Sequence, residues 1–298
     1  MPKRSLDLSD ESGTVSYGHF LNKEDYNEPR CLLGDPREWT GETIQAVPQQ
    51  RILQKMDEYM SRRDYAGACR HLLYWLEEAR AGKDLRGELL VCNELIGHYR
   101  KTADRTNALK YVREALRLLD LLDFDGTVSA GTTYVNAATA LHAFGEYDEA
   151  SSLFEKARAI YEAREETGAQ LLGGLYNNMA LNLMAKEDYR EAYSLFEKAI
   201  AMMDKVPGGA LEQAITCLNM ADVLEAQYGM EEKESEIFSL LDQALSLLEN
   251  ADAPRDGYYA FVCEKCAPVF SYYGYFMAAE ELTGQAEAIY ARQRAGTE

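Results

Sequence analysis

Residues 133–157 read TYVNAATALHAFGEYDEASSLFEKA, and residues 175–199 read LYNNMALNLMAKEDYREAYSLFEKA. The two stretches align without a gap at a spacing of 42 residues, so that Phe154 matches Phe196. A fixed period of roughly 20–50 residues is typical of a stacked repeat array. The sequence therefore predicts such an array, an architecture that commonly binds other chains along an extended surface.

Each repeat contains two helical patterns separated by a short polar break. In the second half of the first repeat, the apolar positions step by four, three and four residues: Ala150, Phe154, Ala157 and Tyr161. This spacing places them on one face of a helix. The break, Gly145–Asp148, is short enough for a tight turn, so each repeat is predicted to be an antiparallel helix hairpin. One hairpin cannot bury its apolar face alone, and stacking supplies the cover.

The pattern resembles the tetratricopeptide repeat, above all in GEYDEASSLFEKA (145–157) and EDYREAYSLFEKA (187–199). The period of 42 residues exceeds the usual period of about 34. In this respect the chain is similar to the long-helix variety found in kinesin light chains and in bacterial peptide-pheromone receptors. The resemblance implies an all-α, right-handed superhelical solenoid.

Weaker copies on either side extend the array to about six hairpins, from about Pro48 to Ala295, and predict a repeat domain over residues 48–298. One copy is expected to have a longer turn, GMEEKESE from Gly229, with its second helix recognisable only from Ile237. In the last copy, Pro268 is expected to kink or end the first helix, because proline removes a backbone donor.

The first 47 residues differ from the rest of the chain. They hold three of the seven prolines, with a fourth at Pro48, and show no sustained helical period. This composition predicts an amino-terminal arm without a core of its own. The stretch from Tyr26 to Trp39 has enough apolar bulk to dock. Three alternatives are open: a cap on the first hairpin, a tethered ligand in the groove of the array, or a disordered segment.

The net charge of the chain limits the classes of partner that it can bind. The chain has 31 Lys and Arg against 50 Asp and Glu, a formal net charge of −19. Such a chain is repelled by nucleic acid and by anionic membrane surfaces, so neither is an expected partner. No apolar stretch approaches the roughly 18 residues that a membrane span needs, and no signal peptide is visible. Six scattered cysteines indicate reduced thiols, and the predicted localisation is cytoplasmic.

The sequence predicts no catalytic activity. No compact polar constellation suggests an enzyme, and no cofactor or metal site is expected. Cys263 and Cys266 form a single CxxC, whereas a zinc site needs about four ligands, so packing is the favoured role. The pairs Gly173-Gly174 and Gly208-Gly209 lack the following Lys-Ser/Thr of a phosphate loop.

A series of asparagines gives the clearest functional pattern: Asn93, Asn136, Asn178 and Asn219. Asn136, Asn178 and Asn219 follow one another at 42 and 41 residues, and Asn93 lies one residue out of register. A carboxamide offers both donor and acceptor to a peptide unit. In the resembled family, the first helices line the concave face, and an Asn at this place often binds the backbone of an extended peptide. The alternative is a hydrogen bond between helices.

The predicted peptide-binding surface adds neighbours of this series: Arg100, Lys101, Thr139, His142, Asn177, Leu181, Asp222 and Glu225. Arg100 and Lys101 lie toward the amino-terminal half and could orient the acidic or carboxylate end of a peptide. The alternative for the charged residues is a solvated helix face.

The predicted function is therefore a protein- or peptide-binding scaffold or adaptor that holds an extended segment of a partner on its concave face. Two alternatives remain at this stage: a structural or oligomerisation scaffold, and a regulatory subunit of a separate enzyme. A homo-oligomer is left open.

Overall fold

The computed structural model describes residues 44–295. Within this range the chain forms twelve α-helices and no β-strand. In chain order they are α1 (Gln49–Ser61), α2 (Tyr65–Ala81), α3 (Leu85–Lys101), α4 (Arg105–Leu122), α5 (Val128–Ala143), α6 (Tyr147–Ala163), α7 (Ala169–Ala185), α8 (Tyr189–Met203), α9 (Ala210–Tyr228), α10 (Met230–Glu249), α11 (Gly257–Tyr272) and α12 (Phe276–Ala295). Consecutive helices pair as six hairpins, which confirms the all-α repeat fold predicted from the sequence.

The contacts divide the chain into two compact units, with the boundary between Glu165 and Glu166. The amino-terminal unit contains α1–α6, and the carboxy-terminal unit contains α7–α12. Within each unit, the first helix of one hairpin packs against the first helix of the next: α3 on α5, α7 on α9, and α9 on α11. The first helices α3 and α5 therefore lie side by side in the amino-terminal unit, and α7, α9 and α11 do so in the carboxy-terminal unit.

The repeated residues recur because they fill the same place in each unit. Phe154 in α6 and Phe196 in α8 are both almost completely buried. Lys156 Nζ lies 5.4 Å from the ring centroid of Tyr134, and Lys198 Nζ lies 5.9 Å from that of the matching Tyr176. Each lysine thus covers a tyrosine of its own hairpin by a cation–π contact.

Aspartates begin several of the helices. Asp64, Asp84 and Asp104 are the N-caps of α2, α3 and α4, and each side chain accepts a hydrogen bond from a backbone N–H three residues later. Gly145 precedes α6 with φ of +82°, and at the matching position before α8 Glu187 adopts +64°. Glycine accepts this left-handed backbone without strain, whereas a glutamate does not.

The turn before α10 is shorter than the sequence predicted. Gly229 alone, with φ of +85°, separates α9 from a helix that begins at Met230 rather than near Ile237. The apolar pattern does not reveal this helix start, because the first turn is polar and contains Glu231 and Glu232. Acidic side chains at this end of a helix interact favourably with the helix dipole. The helix is irregular only at Lys233, where φ is −117° and ψ is 18°.

Pro268 does not end the helix that contains it, contrary to one of the two expected outcomes. Helix α11 continues through Pro268 to Tyr272. Proline has no backbone N–H, so the carbonyl of Glu264 lacks the hydrogen bond that residue 268 would otherwise donate to it. Both Pro268 and Glu264 are exposed. Water can reach that carbonyl, which offsets part of the cost of a proline inside a helix.

The amino-terminal arm lies almost wholly outside the described residues, including Tyr26–Trp39 and Cys31, so its three alternatives stay predictions. Residues 44–47 contact the turn between α2 and α3. Gln45 N donates to the Gly82 carbonyl at 2.9 Å, and Val47 N donates to Asp84 Oδ2 at 2.9 Å. The chain is therefore tied to the start of α3 before it enters α1.

Replacing Gly131 by alanine is expected to lower the free energy of unfolding by about 1–3 kcal/mol, the usual cost of overpacking. A Cβ at Gly131 would lie 2.4 Å from the Tyr161 ring, which is buried and whose hydroxyl is 2.8 Å from Thr132 Oγ1. The matched control is Gly284→Ala in α12, where no atom lies within 4 Å. It should instead gain up to about 1 kcal/mol from helix propensity. Equal stabilities of the two variants in denaturant unfolding would contradict the prediction.

Candidate interaction face of the first helices

The first helices have few exposed side chains. In α3, fourteen consecutive residues from Gly87 to Arg100 are buried, and α5 has no exposed residue along its length. Eight of the predicted site residues are buried: Asn93, Arg100, Thr139, His142, Asn177, Asn178, Leu181 and Asp222. The half-buried ones are Lys101, Asn136, Asn219 and Glu225. The half-buried residues are therefore the most accessible part of the predicted surface.

In the amino-terminal unit, Asn93 links α3 to α5. Its Nδ2 donates to Leu89 O at 3.1 Å and to Thr133 Oγ1 at 3.0 Å. Its Oδ1 accepts a hydrogen bond from Asn136 Nδ2 at 3.1 Å. Buried carboxamides need such partners, because an unsatisfied buried amide is costly. The Asn93–Asn136 pair thus joins two neighbouring first helices.

The carboxy-terminal unit repeats this arrangement between α7 and α9. Asn177 Oδ1 accepts from Asn219 Nδ2 and from Thr216 Oγ1, each at 3.3 Å. Asn177 follows Asn93 by two repeats of 42 residues. Thr216 is a second partner of Asn177, as Thr133 is of Asn93, but Thr216 donates to its asparagine whereas Thr133 accepts from its own. We call Asn93–Asn136 and Asn177–Asn219 the asparagine pairs.

The asparagine pairs group the asparagines differently from the series predicted at 42 and 41 residues. Asn136 and Asn219 share the donor place, whereas Asn178, which was grouped with them, is buried in α7. Asn93 and Asn177 share the acceptor place. Sequence reasoning missed Thr133 and Thr216, although they follow the acceptors by 40 and 39 residues.

The other predicted residues of the amino-terminal unit have separate surroundings. Lys101 Nζ lies 5.7 Å from the ring centroid of Tyr65 in α2. Thr139 Oγ1 donates to the Val135 carbonyl of its own helix at 2.8 Å. The ring centroid of His142 lies 5.5 Å from that of Tyr147 in α6. None of these contacts joins the residue to the asparagine pair.

Asp222 and Glu225 are bridged by tyrosines of α11. Tyr273 Oη donates to Asp222 Oδ1 at 3.0 Å and to Glu225 Oε2 at 2.8 Å, and Tyr272 Oη donates to Glu225 Oε1 at 2.7 Å. Burial raises the pKa of Tyr273, and the two carboxylates raise it further. Sequence reasoning missed the tyrosines, because they have no counterpart at the 42-residue period.

A buried acid lies beside the first asparagine pair. Glu94 in α3 is 7% exposed, and burial raises the pKa of its carboxyl to about 8, with Asp57 as a second cause. Burial also lowers the pKa of His98, one helical turn away. Near neutral pH both side chains therefore favour their uncharged forms.

A cavity of about 750 Å³ opens in the carboxy-terminal unit between the loops that join α8 to α9 and α10 to α11. Gly208 and Gly209 line it together with Asp204, Asp252 and Asp256. Three carboxylates oppose the binding of a phosphate group. The cavity beside this glycine pair is therefore acidic.

The CxxC cysteines pack in the core of the same unit. Cys263 and Cys266 are both buried, and burial raises the pKa of each thiol. A thiol with a raised pKa is a poor nucleophile and a poor metal ligand near neutral pH. Among residues 44–295, no group of three or more His, Cys, Asp or Glu side chains is arranged to hold a metal ion.

The repeat geometry can be compared with known proteins. Residues 88–163 match the family model of the tetratricopeptide repeat. This segment runs from α3 to the end of α6 and includes the first asparagine pair. The tetratricopeptide resemblance predicted from the sequence is therefore confirmed. Tetratricopeptide repeats generally mediate protein–protein interactions, and the fold is typical of non-catalytic scaffolds.

Two solved structures match the chain, and the first of them is similar in fold. The crystal structure of BtubC (BKLC) from P. vanneervenii has a TM-score of 0.52 at 18% identity and covers 80% of this chain and 92% of its own. That of a putative kinesin light chain with nearly identical TPR-like repeats, from Podosopora anserina, has a TM-score of 0.47 at 18% identity and covers 68% and 95%. No curated protein matches the chain.

The helices were also compared with the requirements of a membrane span. Of the helices within residues 44–295, none combines the length and the hydropathy that crossing a bilayer requires.

Proposed function

We propose that the chain is an adaptor that binds extended segments of partner proteins against the first helices, with Asn136 in the amino-terminal unit and Asn219 in the carboxy-terminal unit each binding the main chain of a segment. The observation that carries this proposal is the repetition of the asparagine pair in both units. In each pair the buried member fixes the orientation of a half-buried carboxamide. A fixed carboxamide loses little entropy when it binds a ligand.

The half-buried members retain hydrogen-bonding capacity. Among the described residues, the bonds of Asn136 and Asn219 use one N–H group of each side chain. A carboxamide has a second N–H and a carbonyl oxygen, which together match one peptide unit. The half-buried Lys101 at the end of α3 would supply positive charge for an acidic end of the segment. Such binding recognises the main chain of the partner segment, and specificity then depends on neighbouring side chains.

The test uses twelve-residue peptides selected from a displayed random library on the complete chain and then synthesised. Asn136→Ala should weaken about fivefold the peptides bound by the amino-terminal unit, and Asn219→Ala those bound by the carboxy-terminal unit, because a neutral hydrogen bond contributes on the order of 1 kcal/mol. The double variant should weaken both sets of peptides. The matched control is Asn250→Ala, an exposed asparagine whose Nδ2 bonds to Ser246 O at 2.8 Å within one helix.

Circular dichroism and fluorescence anisotropy separate binding from folding, because the asparagine pairs also join helices. A double variant that keeps its helical signal but binds the peptides as tightly as Asn250→Ala would rule out the main-chain role. Failure of the complete chain to select any peptide would also count against it.

A further inference from the structure

The last hairpin carries the two most exposed large apolar side chains among residues 44–295. Met277 is 83% exposed and Phe276 is 68% exposed, and both lie at the start of α12. Tyr272, at the end of α11, and Tyr228, at the end of α9, are also exposed. We call Tyr228, Tyr272, Phe276 and Met277 the terminal patch. Exposed apolar side chains grouped in this way are typical of a protein interaction site.

Hydrogen bonds hold the turn that presents the patch. Tyr272 and Tyr273 donate to Glu225 of α9, and Tyr275 Oη donates to Asp242 Oδ1 of α10 at 2.6 Å. The ring of Tyr275 also packs against Phe270, with 5.8 Å between centroids. The turn is therefore fixed to two helices of the preceding hairpin. Phe276 and Met277 are presented on a rigid frame, which lowers the entropy lost when a partner binds.

The same bonds bring two hairpin turns together. Glu225 lies three residues before Tyr228, so residues Tyr228 and Glu225 share one face at the end of α9. The bond from Tyr272 to Glu225 thus places the turn between α11 and α12 beside the turn between α9 and α10. Tyr272 therefore lies beside the end of α9 that carries Tyr228, and Phe276 and Met277 follow Tyr272 across one turn.

Acidic side chains surround this surface. Glu231 and Glu232 are exposed in the first turn of α10, next to Tyr228. Lys233, the nearby base, forms an ion pair with Glu236 at 2.7 Å, and its Nζ lies 5.2 Å from the ring centroid of Tyr228, so one basic group contacts the patch among these carboxylates. Glu280 is exposed one turn after Phe276. The terminal patch therefore has an apolar centre and an acidic rim.

We propose that the terminal patch binds a short basic segment of a partner protein that carries one or two large apolar side chains. Aromatic and methionine side chains supply most of the contact energy at such interfaces. The acidic rim favours lysine and arginine beside the apolar anchor. The net charge of −19 disfavours a second copy of this chain and an anionic lipid surface. The proposal concerns a different surface from the asparagine pairs.

The test uses the complete chain and a synthetic sixteen-residue peptide with Leu and Trp on one helical face and Lys on the other. A matched peptide has Glu in place of each Lys. The basic peptide should bind and should weaken as salt is added, and the acidic peptide should not bind. Phe276→Ser/Met277→Ser should weaken binding of the basic peptide about tenfold, as expected for central apolar contacts. Binding is followed by fluorescence anisotropy.

Three further variants make the result specific. The control Tyr74→Ser/Leu121→Ser removes two exposed apolar residues of the amino-terminal unit, 54% and 56% exposed, and should leave binding unchanged. Asn136→Ala/Asn219→Ala should also leave it unchanged, which separates this surface from the proposed main-chain site. Glu231→Lys/Glu232→Lys changes only the rim and should weaken binding severalfold.

Three results would overturn the proposal. The complete chain could bind neither peptide, or both peptides equally, or the patch variant could bind as the apolar control does. Circular dichroism checks that Phe276→Ser/Met277→Ser remains helical. If Phe276→Ser/Met277→Ser loses its helical signal, Glu231→Lys/Glu232→Lys is the deciding variant. An unchanged affinity of that variant for the basic peptide would overturn the proposal.

Discussion

Replacing Phe154 or Phe196 by alanine is expected to lower the free energy of unfolding by about 3–5 kcal/mol, the cost of deleting a buried aromatic ring. Both rings are at most 1% exposed and occupy matching places in α6 and α8. Each belongs to a different unit, so the two variants test the core of both. Denaturant unfolding followed by circular dichroism measures the loss.

The control for the phenylalanines is the same substitution on the surface. Phe276→Ala removes a ring that is 68% exposed, so its effect should stay within about 0.5 kcal/mol. If both core variants lost less than about 1 kcal/mol, the apolar face of the repeat would have to be placed elsewhere.

Replacing Glu94 by glutamine is expected to make stability less dependent on pH. Burial, and secondarily Asp57, raises the pKa of Glu94 from 4.5 to about 8 in the folded chain. A carboxyl whose pKa is raised by folding contributes stability that is present below pH 4.5 and is lost as pH rises through about 8. Glutamine keeps the shape but cannot ionise. Above pH 8 the variant should therefore be more stable than the unsubstituted chain.

The expected gain for Glu94→Gln at pH 9 is on the order of 2–4 kcal/mol, since each unit of pKa shift corresponds to about 1.4 kcal/mol. At pH 5 the gain should fall to a small fraction of that value. The measurement is a series of denaturant unfolding curves between pH 5 and pH 9. The exposed Glu149→Gln serves as the control, and a Glu94→Gln profile that ran parallel to the control profile would contradict the prediction.

The hairpins could be predicted because their signal is local. The step of Ala150, Phe154 and Ala157 within one helix places the buried face without knowledge of the neighbours, and the structure buries all three. The start of α10 could not be read in this way, because its first turn faces solvent and carries no apolar period. The continuation of α11 past Pro268 depends equally on exposure, which a single sequence does not encode.

The asparagines show where local reasoning ends. Their residue type predicts a hydrogen-bonding role, and the structure gives Asn93 and Asn177 partners on the next first helix. Which asparagine meets which depends on the offset between neighbouring helices, 43 residues in one pair and 42 in the other. A shift of one residue along the helix decides whether a carboxamide is buried between two first helices or only half-buried beside them. Contact of this series with a peptide stays a prediction.

The asparagine pairs also bear on how the length of such a chain can change. An extra residue within α3 or α5 would turn Asn93 and Asn136 away from each other and break a buried link. Loss of one repeat of 42 residues would put Leu175 in the place of Thr133 and so remove a hydrogen-bond partner of Asn93. The acceptors Asn93 and Asn177 are two repeats apart, with Val135 midway between them. The array can therefore keep these bonds when its length changes by two repeats, whereas single insertions are confined to the turns.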